Sequence, residues 1–189
     1  CYRYLAKPDD VYQSYAMYYH KDKNCDSFWK ILNEKEVSVT GLGAALNVVQ
    51  IPSTVAINDK TYKVTTIDQS AFSADKEITD VIFGNNVTTI EKQAFYQCPN
   101  LRTIRFGTKV TKIGSNAFAE CAKLKNFTLP ASVKRIDTKA FYQCPAVKTV
   151  KINSTALEYV GKKGLAVNKT VTMKLPKKLF TKYQKMIKA

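Results

Sequence analysis

The chain has little of what most enzyme sites need. It has a single histidine, His20, in the context Tyr18-Tyr19-His20-Lys21, near the end of an expected helix. Nothing in the sequence places a nucleophile beside it, as a Ser-His-Asp or Cys-His arrangement would need. Histidine scarcity also excludes a His-rich metal site, and no C-x-x-C pair offers a structural zinc site. No two carboxylates stand out as an acid and base pair. Gly41-Leu42-Gly43 begins like a dinucleotide loop, but Leu46 fills the third glycine position and no long βαβ unit follows, so we read a hairpin or turn. No run approaches about 18 apolar residues, which excludes a transmembrane helix. The first residues lack the charged-then-apolar pattern of a secretory leader. The chain begins at Cys1 and not at Met, which leads us to expect a piece of something longer.

Acidic residues are scarce too, 15 against 30 basic, for a net charge of +15. A length of 189 residues with 45% hydrophobic composition suits a globular chain with a real core. The charge excess is local. Residues 1–63 carry net +1, residues 64–155 net +6 and residues 156–189 net +8.

What is present is a repeat. Four 23-residue segments align without a gap, beginning at Val64, Val87, Val110 and Val133 and ending at Thr155. The second reads VTTIEKQAFYQCPNLRTIRFGTK. Seven columns are apolar in all four copies, among them Ile67/Ile90/Ile113/Ile136 and Phe72/Phe95/Phe118/Phe141. One copy cannot bury these groups alone, but stacked copies turn each column into a ladder through one core. The end of each copy, such as Leu101 to Phe106, alternates with period two and predicts a short strand, paired in parallel with its neighbours.

The pattern V-T-x-I-x-x-x-A-F-x-x-C-x-x-L-x-x-I-x-F resembles the BspA-like, or treponemal-type, leucine-rich repeat. The resemblance covers residues 64–155 and reaches back through Val37–Ile67, similar to the family's strand-rich N-terminal cap. It reaches forward through Val160–Ala189, where Gly164-Leu165 replaces Ala-Phe before a Pro-Lys-Lys helix. It implies an α/β repeat solenoid with 23-residue rungs, a parallel sheet on one face, a strand-rich N-terminal cap and a helical C-terminal cap. The expected divisions are a Tyr-rich segment (1–36), an N-terminal cap (37–63), four leucine-rich repeats (64–155), and a degenerate repeat with a basic helical cap (156–189). The resemblance also implies a secreted or cell-surface protein of bacteria or of some mucosal protozoa, with adhesin-like binding.

Six of the eleven tyrosines lie in residues 1–36. Pro8-Asp9-Asp10 predicts a helix start, with Val11, Tyr15, Tyr18 and Tyr19 on one face. Phe28–Leu32 and Val37–Thr40, around Asn33-Glu34-Lys35-Glu36, predict a hairpin. We read this segment as a cap on the first rung, with an exposed aromatic contact surface as the functional alternative. At the other end Leu179, Phe180, Tyr183, Met186 and Ile187 recur at helical spacing, opposite a lysine face. That helix either closes the last rung or lies on a membrane or an acidic partner.

Cys98, Cys121 and Cys144 stand one per rung and are expected to be buried free thiols. Cys1 and Cys25 lie outside the repeats. In an exported protein they can form a disulfide, and Cys1 can alternatively carry a lipid. Asn86, Asn126, Asn153 and Asn168 match the glycosylation sequon, which carries little weight in a bacterial protein and matters in a protozoan one.

The candidate binding residues are basic. Arg102, Lys125 and Lys148 share one strand column, and Arg105 and Lys151 another, with Thr128 between them. Both columns lie between inward residues and are expected to face out, either to bind an anion or simply to keep the sheet soluble. Nucleic acid is a poor partner, because no recognised module is present and no aromatic side chains interleave with the charges. Host extracellular-matrix or cell-surface protein, or an anionic glycan such as teichoic acid or a sulfated glycan, fits better. The sequence therefore reads as an interaction domain that binds through its sheet face, without catalysis, metal or cofactor. The alternative is a structural spacer in a larger bacterial surface protein, with no ligand of its own.

Overall fold

The computed structural model describes residues 2–4, 17–22, 25–42, 46–57 and 59–188. Four strands open the chain: β1 (Tyr2–Tyr4), β2 (Met17–Asp22), β3 (Cys25–Ile31) and β4 (Glu36–Leu42). They form an antiparallel meander, and β3 and β4 make the expected hairpin. Its turn is held by the Leu32 N–H on the Glu36 carbonyl (2.9 Å) and the Lys35 N–H on Asn33 Oδ1 (2.9 Å).

The helix expected through Tyr18 and Tyr19 does not form there. These residues pair with Trp29 and Phe28 across the β2–β3 hairpin, and His20 lies in the same strand. Successive aromatic residues suit a pleated, cross-paired strand better than a helix. Pro8, Asp9, Asp10, Val11 and Tyr15 lie outside the described residues, as does Cys1 and with it the expected Cys1–Cys25 pairing. Gly41 and Leu42 finish β4 instead of making a turn.

The rungs follow. Strands β5 (Val48–Ile51), β6 (Thr54–Ile57) and β7 (Lys60–Ile67) begin them. Then β8 (Asp80–Phe83), β10 (Thr103–Arg105), β12 (Phe127–Leu129), β14 (Thr149–Ile152) and β16 (Thr172–Lys174) continue the ladder that β5 starts. Between them lie the short strands β9 (Thr89–Ile90), β11 (Lys112–Ile113), β13 (Arg135–Ile136) and β15 (Tyr159–Val160). The result is a parallel solenoid of about six turns.

Two parallel ladders run along it. The expected ladder from the I-x-F ends comprises β5–β8–β10 and β12–β14–β16. At its interruption the Lys125 N–H donates to the Arg102 carbonyl (2.9 Å). A second ladder, β7–β9–β11–β13–β15, comes from the V-T-x-I pairs and continues the N-terminal meander through the parallel pairing of β4 with β7. The meander is therefore an extension of the solenoid's own sheet.

The apolar columns fill the space between the ladders. All their members are buried except Ala71 and Phe106, which are half-buried. Phe72, Phe95, Phe118 and Phe141 stack with centroids 4.8, 5.2 and 5.2 Å apart. Phe83 and Phe106 stack beside them and meet that column edge-on.

The turn joining the ladders is itself a third stack. The N–H groups of Phe72, Phe95 and Phe118 each donate to an alanine carbonyl of the next rung at 2.8 Å. Ser70, Gln93, Asn116 and Lys139 hold φ near +54° to +58°, and Ala74, Gln97, Glu120 and Gln143 φ near +55° to +61°. Such left-handed residues are uncommon outside glycine, so the repeated bonds to the neighbouring rung must hold them. Close stacking is also visible at Gly107, where a Cβ would collide with the Gly84 carbonyl.

The closing helix α1 (Phe180–Lys188) packs on the last rung through Tyr183, which is fully buried and accepts the Leu157 N–H at 3.0 Å. Met186 and Ile187 are half-buried. Phe180 departs from the expected apolar face and is exposed. No helix among the described residues is long and apolar enough to cross a membrane.

Candidate functional site

Alternation on the I-x-F strands sends Ile104, Phe127 and Val150 inward and leaves Arg105, Thr128 and Lys151 exposed. Arg102, Lys125 and Lys148 are exposed just before those strands. These three line one open groove of about 530 Å³, together with Lys123 and with Ala122 and Ala146 as small apolar patches. Lys151 lines an adjoining groove of about 230 Å³ with Thr128, Thr149 and Lys174. Asn126 lines both grooves and joins them.

Arg105 lies apart from the two grooves, on β10. One carboxylate lies near it, because Thr103 is in register with Asp80 across β8. Side-chain hydrogen bonds from Thr79 and Thr103 hold the Asp80 carboxyl below its usual range, and the charges of Arg102 and Arg105 add to that. The Thr79 hydroxyl is 2.7 Å from Asp80 Oδ2. The first rungs of the basic columns are therefore partly neutralised. Lys125, Lys148, Lys151 and Lys174 make no ion pair with any described residue.

Lys174 escapes the sequence alignment, which stops at Thr155. It is in register with Lys151 across β14 and β16, one 23-residue step further on. That spacing alone would have found it. Asn126 also escapes, because its role is set by orientation. Its Oδ1 accepts the N–H groups of Lys148 (2.9 Å) and Thr149 (2.8 Å), so the amide nitrogen is its remaining donor.

The thiol column is structural. Cys98, Cys121 and Cys144 are free and buried, and their Sγ atoms donate to the carbonyls of Phe72, Phe95 and Phe118 at 3.1, 3.3 and 3.2 Å. Burial pushes the Cys144 thiol up to about 12, which removes the reactive thiolate at neutral pH. Asp75 takes this position in the first rung, where its Oδ1 accepts the N–H groups of Glu77 and Ile78. Among the described residues no group of His, Cys, Asp and Glu is placed to hold a metal ion. The sequon asparagines Asn86 and Asn168 spend their side chains on the fold, donating to the carbonyls of Ser53 and Val147.

Comparison with known proteins agrees with this geometry. The chain is similar to a leucine-rich cell surface protein from Faecalibacterium prausnitzii, with 27% identity and a TM-score of 0.71 over 84% of this chain. It spans 42% of that protein's length. It is also similar to a leucine-rich repeat protein from Bacteroides capillosus, with 25% identity and a TM-score of 0.62, covering 71% of this chain and 97% of that one. No curated protein sequence matches it significantly. The family model for the BspA type leucine-rich repeat region matches residues 45–186 in six copies, which extends the four gapless copies by degenerate ones at the ends. With its stacked rungs, phenylalanine columns and six matched copies, the chain belongs to the BspA-type leucine-rich repeat family.

Proposed function

We propose that this chain is a cell-surface or secreted interaction domain. It binds macromolecules of a host or of another cell through the I-x-F face, by shape and charge and without catalysis. The observation that carries this reading is the groove that brings Arg102, Lys125 and Lys148 to one open surface. Unpaired like charges in adjacent rungs raise the local potential and attract an anionic partner. The cell-surface description of the Faecalibacterium relative supports the location.

The test is binding of the chain to immobilised matrix proteins and to cultured epithelial cells. Arg102→Glu/Lys125→Glu/Lys148→Glu is expected to weaken binding about tenfold or more, since reversing charge on a steering surface costs both rate and affinity. Unchanged binding in that variant removes the face from the reading.

A spacer role without a ligand is the second reading, and the 42% coverage of the Faecalibacterium protein is what favours it. Background binding by both the parent chain and the triple variant would select it.

A further inference from the structure

The two grooves have a property that a generic basic surface lacks: they are continuous and periodic. One holds Lys125 and Lys148, the other Lys151 and Lys174, and Asn126 belongs to both. The track therefore crosses the rungs of β12, β14 and β16 along the solenoid axis. Parallel strands place successive cations of one column about 4.8 Å apart. A pyranose ring in a linear chain advances by a comparable distance, so its sulfates or carboxylates can meet successive rungs.

The lining chemistry also discriminates between partners. Protein hot spots centre on large apolar or aromatic anchors in well-packed pockets. Among the described residues the exposed large apolar ones are Leu32, Val48, Tyr159 and Phe180, and none of them lines either groove. Phe127, at the edge of the second groove, is buried. What the track offers is ammonium groups, the hydroxyls of Thr128 and Thr149, the free amide donor of Asn126, and the small apolar surfaces of Ala122 and Ala146. Hydroxyl and amide donors suit sugar hydroxyls, and alanine methyls suit the C–H face of a ring. Neither groove offers an open aromatic side chain for a base to stack on, which disfavours single-stranded nucleic acid.

We propose that the partner of this face is a linear anionic polysaccharide, sulfated or uronic, lying along the solenoid axis. Lys125, Lys148, Lys151 and Lys174 hold its charges, and Asn126 bonds a hydroxyl between them. This rests on the sheet-face reading above and narrows it to one class of partner.

The experiment uses the full chain with heparin as probe, and dextran and duplex DNA as comparison polymers. Lys125→Glu/Lys148→Glu and Lys151→Glu/Lys174→Glu should each weaken heparin binding about tenfold. Lys178→Glu/Lys185→Glu, in the turn before the closing helix and on that helix, removes equal charge and should change it less than about twofold. The parent chain's log affinity should fall against log salt with a slope of about −3, as four charge contacts require. Glutamine versions of each pair replace any glutamate pair that fails to fold by circular dichroism. Equal loss in the helix pair overturns the proposal, as does DNA or dextran bound as tightly as heparin.

Cell binding, measured in parallel, separates the two readings. Groove pairs that lose cell binding but keep heparin binding overturn the polysaccharide and leave the sheet-face reading standing. Groove pairs that lose heparin but keep cell binding uphold the polysaccharide and overturn the cellular role.

Discussion

On the V-T-x-I ladder two cations have carboxylate partners. Lys112 Nζ lies 3.2 Å from Glu91, and Arg135 Nε lies 2.6 Å from Asp137, with its guanidinium 4.2 Å from the centre of the Tyr159 ring. On the I-x-F ladder Asp80 tempers Arg102 and Arg105, and beyond it Lys125, Lys148, Lys151 and Lys174 meet no carboxylate among the described residues. Both ladders come from the same 23 residues and share one core. Basic composition alone would load the two faces alike. The difference lies in a column: Asp68, Glu91 and Asp137 sit beside the V-T-x-I strands, and nothing comparable recurs beside the others. Solubility is served by either arrangement, so the unpaired face is the one that invites a partner.

Both faces hang on one core. Phe118 stacks between Phe95 and Phe141 and meets Phe83 and Phe106 edge-on. Phe118→Ala should therefore cost about 3–5 kcal/mol, seen in urea unfolding. It should lower the stability of both ladders in one transition. Separate transitions for the two faces would mean that they do not share one core.

The next largest effect comes from making the open face resemble its twin. Thr149→Glu/Thr172→Glu adds carboxylates to the I-x-F ladder among Lys148, Lys151 and Lys174. Affinity for heparin should fall about tenfold, with a stability change within about 0.5 kcal/mol. Undiminished affinity would mean that charge pairing does not distinguish the faces.

Asp80→Asn moves the other way by freeing Arg102 and Arg105, and should tighten heparin binding about twofold. The same carboxyl bears on pH. Its folded value is depressed, so its contribution to stability is present above the ordinary value of about 3.9 and is lost as pH falls through the folded one. Binding should accordingly be flat between about pH 7 and pH 5, above the range in which the depressed Asp80 carboxyl titrates. A rise across that window would place another titrating group at the groove.

The smallest effect belongs to the paired face. Lys112→Ala and Arg135→Ala should each cost a few tenths of a kcal/mol, less in high salt, because both pairs are partly exposed. Heparin binding should stay unchanged.

Much of this was legible in the sequence, for identifiable reasons. Gapless repetition at 23 residues exposed the core columns and the Arg102/Lys125/Lys148 column. It failed where the period slips: Ile113 pairs with Ile136, 23 residues on, but Ile136 pairs with Val160, 24 on. That slip ends the gapless alignment at Thr155, although the I-x-F ladder keeps the 23-residue step from Lys151 to Lys174. The left-handed turn columns gave no signal, because Ser70, Ala74, Gln97 and Glu120 occupy positions where glycine would have been diagnostic. Tyr18 and Tyr19 misled because tyrosines spaced along a helix and tyrosines cross-paired in a strand look alike until Phe28 and Trp29 are placed opposite them. The neutralising role of Asp80 depends on a neighbour in the next rung, which a count of charges by segment does not see.

The constant rung height has a consequence for how such a surface changes over generations. Duplicating one block of 23 codons inserts one whole floor, about 4.8 Å tall, with its own core, turn and cations already in register. The track then grows in integer steps, and so does the length of polymer it can grip. Copy number becomes a gauge of ligand size, adjustable without redesigning a single contact.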